Sequence, residues 1–441
     1  MLLINRNYRL LWAGQTISQL GDFVFNTTLT LWVGTVLLRG RSDAPAAVAA
    51  LIAVAAAATL LVAPLAGVFV DRWDLRRTML TTDLIRASLI GAVTVLAFLP
   101  TGTLATGATL TLVYVAVFLA MGVAQFFNPA RFAVIGRVVA ADQRVRAAAI
   151  GQSTQAIASI LGPPLAAPLL YGVGVRWALL LNACSFLLSY MAVRAVHVEP
   201  EAPRSEAAER GSVWAEFLAG LRLVGSSRVV TALIITISIV TLGTAALESL
   251  NVFFVTENLH AGTRWFGTLE MALGVGLVAG AAGAGMLGAR IGHRRLFSSG
   301  LVAAGVGLVI YSQLSHLWSA LAVLMVVGFP LAAVNAALTP ILLDAVPTTH
   351  LGRVIAVINP AQQLASLLGV AAAGWLASTA FNGLDARVAG IEFGRIDTIF
   401  LLAGLMVITG GLYASLALRN RASLPHVPQE GAAAVVHERS D

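Results

Sequence analysis

Long apolar segments dominate the chain, and short polar stretches separate them. The first segment contains only Asp22 as a charge between Arg9 and Arg39, and residues 44–70 contain no charge. A helix that crosses the hydrocarbon core of a bilayer needs about 20 mostly apolar residues. The pattern therefore predicts six spans, a charged and proline-containing linker after residue 197, and six more spans.

This spacing predicts four sections of chain. We expect a six-helix bundle over residues 1–197, a cytoplasmic linker over 198–226, a second six-helix bundle over 227–419 and a mobile cytoplasmic tail over 420–441. The expected fold class is an all-α membrane protein with twelve transmembrane helices in two pseudo-symmetric bundles. The first span is too long for the core of a signal peptide, so we expect it to be retained.

Composition agrees with a membrane protein and excludes several other classes. Hydrophobic residues make up 58% of the chain and charged residues 11%, whereas about a quarter of an ordinary soluble domain is charged. All 28 basic residues are arginine. The chain therefore lacks the lysine that a P-loop ATPase, a protein kinase and a pyridoxal enzyme each require, and these classes are excluded. With Cys184 as the single cysteine and no His-x-x-x-His pattern, we expect no metal, no cofactor and no enzyme activity.

The distribution of arginine predicts the orientation. Arginines outside the spans fall mostly on the side that holds both chain termini, and cytoplasmic loops are the ones that accumulate positive charge. We therefore expect a multi-pass protein of the cell (plasma) membrane with both termini in the cytoplasm. The net charge of +7 does not indicate a nucleic-acid partner, because the arginines lie between apolar segments.

The two halves of the sequence repeat one another. Residues 67–77 follow the second span and residues 285–295 follow the eighth, with a glycine, an arginine and a final Arg-Arg pair at identical spacing. Gln155 in the fifth span and Gln362 in the eleventh also occupy equivalent places. A duplicated six-span bundle is the architecture of secondary transporters.

Residues 67–77 resemble the signature Gly-x-Leu-Ala-Asp-Arg-x-Gly-Arg-Arg of the major facilitator superfamily, with Trp73-Asp74 in place of x-Gly. More narrowly, four stretches resemble the macrolide-efflux and enterobactin-exporter-like branch of proton-coupled multidrug exporters, namely residues 5–15, 127–131, 160–163 and 182–186. The resemblance covers about residues 5 to 419. It implies a monomeric secondary transporter whose partners are a small-molecule substrate, protons and membrane lipid.

Two acids are the candidates for proton coupling. Asp22 lies roughly 13 residues after Arg9, or ~20 Å along a helix and near the middle of the membrane. Glu248 lies in the seventh span and aligns with Asn26 of the first half. Acids inside a membrane usually face the bundle interior and mark a substrate or proton path. The alternatives are a structural acid for Asp22 and a water-facing acid near the outer interface for Glu248.

The remaining intramembrane polar residues suggest a cavity and a structural pair. We expect Glu270 to lie nearer the outside and to reach water, and Asp83 to pair with Arg86 three residues later on one helical face. Polar side chains within spans are costly against lipid, so some of them line a cavity. The candidate substrate cavity is lined by Gln19, Asn26, Gln155, Gln362 and Arg131, and the role of Arg131 stays open.

The resemblance also implies two conformational motifs. The family's cytoplasmic gating motif corresponds here to Gly67, Asp71, Arg72, Arg76 and Arg77, with the start of span 11 near Arg353 as the expected partner. The alternative for these arginines is the general positive-inside signal. In the fifth span, Gly162 and Pro163 belong to an antiporter-like pattern in which three glycines have become alanine.

Together these features predict secondary active export of amphipathic or hydrophobic small molecules, such as drugs, antibiotics or siderophores, by proton antiport. Uptake of a small metabolite by symport or facilitation is the main alternative, because the fold permits either direction. A receptor or scaffold that does not transport is a further alternative, and the intramembrane acids count against it.

Overall fold

The computed structural model describes residues 4–418 apart from 71, 101–102, 198–221, 223, 226, 347–350, 385 and 389–390. Within these residues the chain forms twelve helices that are long and apolar enough to cross a membrane, as the sequence predicts. They are α1 (Arg6–Leu31), α2 (Ala44–Val70), α3 (Leu75–Phe98), α4 (Thr106–Val138), α5 (Arg144–Pro168), α6 (Val175–Arg194), α7 (Arg228–Glu257), α8 (Phe266–Ile291), α9 (His293–Ser312), α10 (Leu317–Ala345), α11 (Leu351–Trp375) and α12 (Arg395–Ala417).

Short irregular elements complete the fold. Helices α1, α5 and α11 continue as π-helical turns at Trp32–Leu37, Leu169–Val173 and Leu376–Ala380. An antiparallel hairpin of β1 (Ala386–Val388) and β2 (Ile391–Phe393) lies between α11 and α12 and is an exception to the all-α expectation. We call the end of the molecule that carries this hairpin the hairpin end, and the end at which α1 begins and α12 finishes the terminal end.

Local chemistry explains several helix starts at the terminal end. The side chain of Asn5 accepts a hydrogen bond from the Tyr8 backbone nitrogen at 2.8 Å, and Asp74 accepts one from the Arg77 nitrogen at 2.6 Å. Such side chains replace the partners that the first N–H groups of a helix lack.

The predicted linker falls almost entirely outside the described residues, and so does the whole predicted tail.

The two bundles pack against each other mainly through two helix pairs, α2 with α11 and α5 with α8. Glycines allow the close approach, because a Cβ atom on Gly374 would overlap Ala49 and one on Gly267 would overlap Pro163. Near the hairpin end, a continuous cluster of buried apolar residues includes Leu31 of the first bundle and Phe254 of the second.

Hydrogen bonds also join the bundles at the hairpin end. The Ala46 backbone nitrogen donates to Ser378 Oγ at 3.0 Å, and the Thr263 hydroxyl bonds the Tyr171 hydroxyl at 2.5 Å. The two bundles are therefore in direct contact at the hairpin end.

Candidate functional site

A cavity of about 530 Å³ lies between the two bundles. The first bundle contributes mainly apolar and hydroxyl-bearing residues together with Asn26, and the second contributes Glu248 and Glu270. Asn26 and Glu248, which the internal repeat aligns, thus line the same cavity. We call this space the central cavity.

Glu270 lies where the sequence analysis did not expect it. Helix α8 begins at Phe266 after a 3₁₀ turn, so Glu270 is about one turn inside the span and lines the central cavity instead of reaching outside water. Its Oε1 accepts a hydrogen bond from Asn251 Nδ2 at 3.0 Å. Tyr311 donates to Asn251 Oδ1 at 2.6 Å, so the three side chains form a chain of hydrogen bonds.

The negative charge in this region is concentrated. A second cavity of about 420 Å³, formed by the second bundle, shares Glu248 and Glu270 with the central cavity and also contains Gln362. Neither cavity has an arginine or a histidine among its lining residues. The Glu248 carboxyl is accessible to these cavities, and it acts electrostatically on Glu270.

Asp22 is held in an ion pair within the first bundle. Arg86 Nη2 of α3 donates to both carboxylate oxygens of Asp22, at 3.0 and 2.9 Å. The Arg86 guanidinium also lies 4.0 Å from the centroid of the Phe186 ring. The expectation that Arg86 pairs with Asp83 is therefore wrong, because the cation reaches across to α1 instead of along its own helix.

Asp83 is the most deeply buried acid of this region. Its side chain is 0% exposed, and neither carboxylate oxygen has a hydrogen-bond partner. The Ser189 hydroxyl of α6 lies beside Asp83, and Arg86 and Asp22 are the charged groups that act on this acid. Arg86 thus hydrogen-bonds to Asp22 and acts on Asp83 only through its charge.

A third cavity, of about 470 Å³, is formed by α1, α4 and α5 toward the terminal end. It contains three of the predicted cavity residues, Gln19, Gln155 and Arg131. The repeat-related glutamines Gln155 and Gln362 therefore line different cavities. We call this third space the terminal-end cavity.

The predicted gating motif is only partly within the described residues. Asp71 lies outside them, as do the surroundings of Gly67 and the side chain of Arg353, so their predicted contact stays a prediction. Arg72 and Arg77 are exposed. Arg76 contacts the backbone carbonyl oxygens of Val193 and Arg194, where it satisfies the C-terminal end of α6.

The predicted motif of the fifth span lies at two helix contacts. A Cβ atom on Gly162 would overlap Phe23 of α1, so glycine permits this contact within the first bundle. The next residue, Pro163, lines the central cavity and packs against Gly267 of the second bundle. The motif therefore contributes both to a helix contact and to the boundary between the bundles.

Two six-helix bundles around a cavity that contains two carboxylates define a membrane transporter of the major facilitator type. Residues 2–439 match the transmembrane secretion effector family, and the chain belongs to that family. Members of this superfamily are transporters and not enzymes.

Relatives and solved structures agree with this membership. The chain is 24% identical over 422 residues to the uncharacterized MFS-type transporter YkuC of Bacillus subtilis, covering 94% of this chain and 93% of YkuC. It is 26% identical over 369 residues to the multidrug efflux pump Tap of Mycolicibacterium fortuitum, covering 82% and 86%.

The fold is shared with solved transporters of low sequence identity. The nucleoside transporter NupG superposes with a TM-score of 0.70 at 11% identity, covering 93% of this chain and 100% of NupG. A bacterial homologue of the lysosomal transporter Spinster, in an inward-facing and occupied conformation, gives a TM-score of 0.70 at 13% identity, covering 95% and 98%.

Proposed function

We propose that this transporter exports amphipathic or hydrophobic small molecules across the cell membrane in exchange for protons, with both termini in the cytoplasm. The observation that carries the proposal is the pair of acids, Glu248 and Glu270, in a cavity between the bundles with no arginine or histidine among its lining residues. The similarity to Tap, a multidrug efflux pump, supports export.

The arrangement of the acids suggests their roles. Two carboxylates that share one cavity repel each other when both are charged, so proton binding at one of them is favoured. Asn251 donates to Glu270 and holds its carboxyl in place, whereas the Glu248 carboxyl is accessible to both cavities. In our proposal Glu248 is therefore the residue that exchanges the proton, and Glu270 provides the charge that makes this exchange favourable.

Contacts between the bundles at the hairpin end support one order of events. In our proposal, substrate enters the central cavity from the opposite, terminal end, which we propose to be cytoplasmic. Substrate binding releases the proton from Glu248 on that side, and protonation from the opposite side resets the acid. Each unit of charge that moves through 100 mV supplies roughly 2.3 kcal/mol, which corresponds to a substrate gradient of about 50-fold.

The test uses purified protein in liposomes that contain a pH-sensitive dye. A pH gradient is imposed, and macrolides, tetracyclines, cationic dyes and catecholate siderophores are added one at a time. We expect at least one compound to trigger proton flux opposite to its own movement and Glu248→Gln to abolish this flux. Asp344, an exposed acid on α10, provides the matched control Asp344→Asn, which keeps the flux.

Three outcomes would contradict the proposal. Compound-triggered proton flux that survives Glu248→Gln would remove this acid from the coupling. Proton and compound movement in the same direction would indicate symport, and compound movement without any proton flux would indicate facilitation.

A further inference from the structure

The terminal-end cavity has a charge opposite to that of the central cavity. Its lining residues include Arg131 and Arg144 and no acidic residue. Arg144 is already engaged, because its guanidinium donates to the Gly136 and Val139 carbonyl oxygens at the end of α4, at 2.7 and 3.4 Å. Arg131 is therefore the cation that remains available in this cavity.

Arg131 has few partners for a buried guanidinium. Its Nη1 donates to Gln15 Oε1 at 2.7 Å, and its carbon Cζ lies 4.9 Å from the centroid of the Phe132 ring. Its Nε is buried without a hydrogen-bond partner, and no carboxylate lies within ion-pair distance among the described residues. A guanidinium offers five N–H donors, and a buried charge without a counter-ion is costly.

A second, independent group points to a ligand at the same place. Gln15 is only 7% exposed, and its Nε2 has no hydrogen-bond partner although the side chain lines the cavity. An amide nitrogen is a donor only. Gln15 and Arg131 both line this cavity, and each carries a buried donor that no protein group pairs with. An oxyanion in the cavity would supply the acceptor that the Arg131 guanidinium lacks.

The rest of the lining is suited to an apolar chain. Leu11, Trp12, Phe132 and Ile135 border the same cavity. The Trp12 indole nitrogen already donates to Thr154 Oγ1 at 2.8 Å, so it presents only its apolar ring. A volume of about 470 Å³ lies within the usual range for pockets that hold drug-sized ligands.

We infer that the terminal-end cavity binds the anionic head group, a carboxylate or a phosphate, of an amphipathic substrate, with Arg131 and Gln15 as its hydrogen-bond donors. This inference rests on the proposed transport function and narrows its substrate class. The anion binds toward the terminal end of the first bundle, in a cavity that neither Glu248 nor Glu270 lines, and these two acids would repel it.

The test measures binding without any proton gradient, so its result is independent of proton coupling at Glu248. The probe is dansyl-undecanoic acid, compared with its neutral carboxamide, and fluorescence is titrated on the full chain in uncharged maltoside micelles. We expect the wild type to bind the acid at least ~10-fold more tightly than the carboxamide, because charge-assisted hydrogen bonds exceed neutral ones by this order.

Variants assign the preference to one residue. Arg131→Gln is expected to bind both probes with the affinity of the carboxamide, and unchanged carboxamide binding shows that the variant is folded. Arg294→Gln is the matched control, because Arg294 belongs to the second bundle and donates to the Leu418 carbonyl oxygen. This control is expected to keep the preference for the acid.

Three outcomes would overturn the inference. The first is equal binding of the acid and the carboxamide by the wild type, and the second is an unchanged preference in Arg131→Gln. The third comes from added lipid: displacement of the acid by phosphatidylglycerol, with no displacement by phosphatidylcholine, would assign the site to a lipid head group. Retention of the acid in both lipids supports a substrate site.

Discussion

The ion pair between Asp22 and Arg86 gives the sharpest test of how the first bundle is held together. The perturbation is Asp22→Asn, which keeps the shape of the side chain and removes its charge. Arg86 then remains in a site where its side chain is only 9% exposed. Removing one partner of a buried ion pair leaves the other charge uncompensated, at a typical cost of about 3–5 kcal/mol.

The structure predicts a smaller cost in the free energy of unfolding for Asp22→Asn. The Asp22 side chain is 28% exposed, so water screens part of the pair, and asparagine can still accept one hydrogen bond from Arg86. The Phe186 ring beside the guanidinium stabilises the cation further. We therefore expect a loss of about 2 kcal/mol in the free energy of unfolding, below the range for a fully buried pair.

Reversible unfolding in mixed micelles measures this loss within a double-mutant cycle of Asp22→Asn and Arg86→Gln. Residues that form one ion pair show a coupling free energy of about 0.5–3 kcal/mol, so the double variant should lose less stability than the sum of the single variants. Asp344→Asn, which removes an exposed acid, is the control and should change stability by less than about 0.5 kcal/mol.

The cycle also separates a structural role of Asp22 from a role in proton coupling. If Asp22 is a structural acid, transport by Asp22→Asn falls only in proportion to the loss of folded protein. If Asp22 carries the proton, Asp22→Asn lowers the compound-triggered flux per folded molecule, and the double variant does not restore this flux. Single variants that each cost less than about 0.5 kcal/mol, with no coupling between them, would refute the reasoning from the ion pair.

Two further predictions concern the hairpin end and the gating motif. Gly374→Val introduces a side chain where even a Cβ atom overlaps Ala49. We therefore expect the variant to separate α2 from α11 and to increase the labelling of a cysteine placed at Ser378. Unchanged labelling would contradict the predicted role of this helix contact at the hairpin end. Arg76→Gln removes the contacts to the end of α6, so we expect about 1 kcal/mol of destabilisation and faster hydrogen exchange there. Arg77→Gln, at an exposed position, is the control, and equal exchange in both variants would show that Arg76 does not stabilise this end.

The pattern of apolar segments was sufficient to predict the helices of this protein. Twelve helices of suitable length lie where mostly apolar stretches occur, because a chain in lipid must satisfy its backbone hydrogen bonds within each span. The internal repeat aligned Asn26 with Glu248, and both line the central cavity. The β1–β2 hairpin was missed because each strand has only three residues, which is too short to produce a recognisable hydrophobic pattern.

Side-chain partners required the tertiary structure. Spacing along one helix suggested that Arg86 pairs with Asp83, but α1 packs close enough for Asp22 to take that place. Glu270 was assigned to the outer interface by its distance from Arg264 along the chain, whereas the 3₁₀ turn before α8 carries it into the span. Asn251 and Tyr311 could have indicated a buried polar site near Glu270, since both are polar residues within apolar segments.

The sequence by itself determined the number of spans, the two-bundle architecture and the superfamily, because these depend on local hydrophobicity and on repeated motifs. Only the tertiary structure decided which polar groups meet, since Glu248 and Glu270 come from different helices and Arg131 lies beside Gln15 through the packing of α4 on α1. Contacts between helices depend on their rotation and depth in the bundle. Sequence spacing within one helix does not specify either quantity.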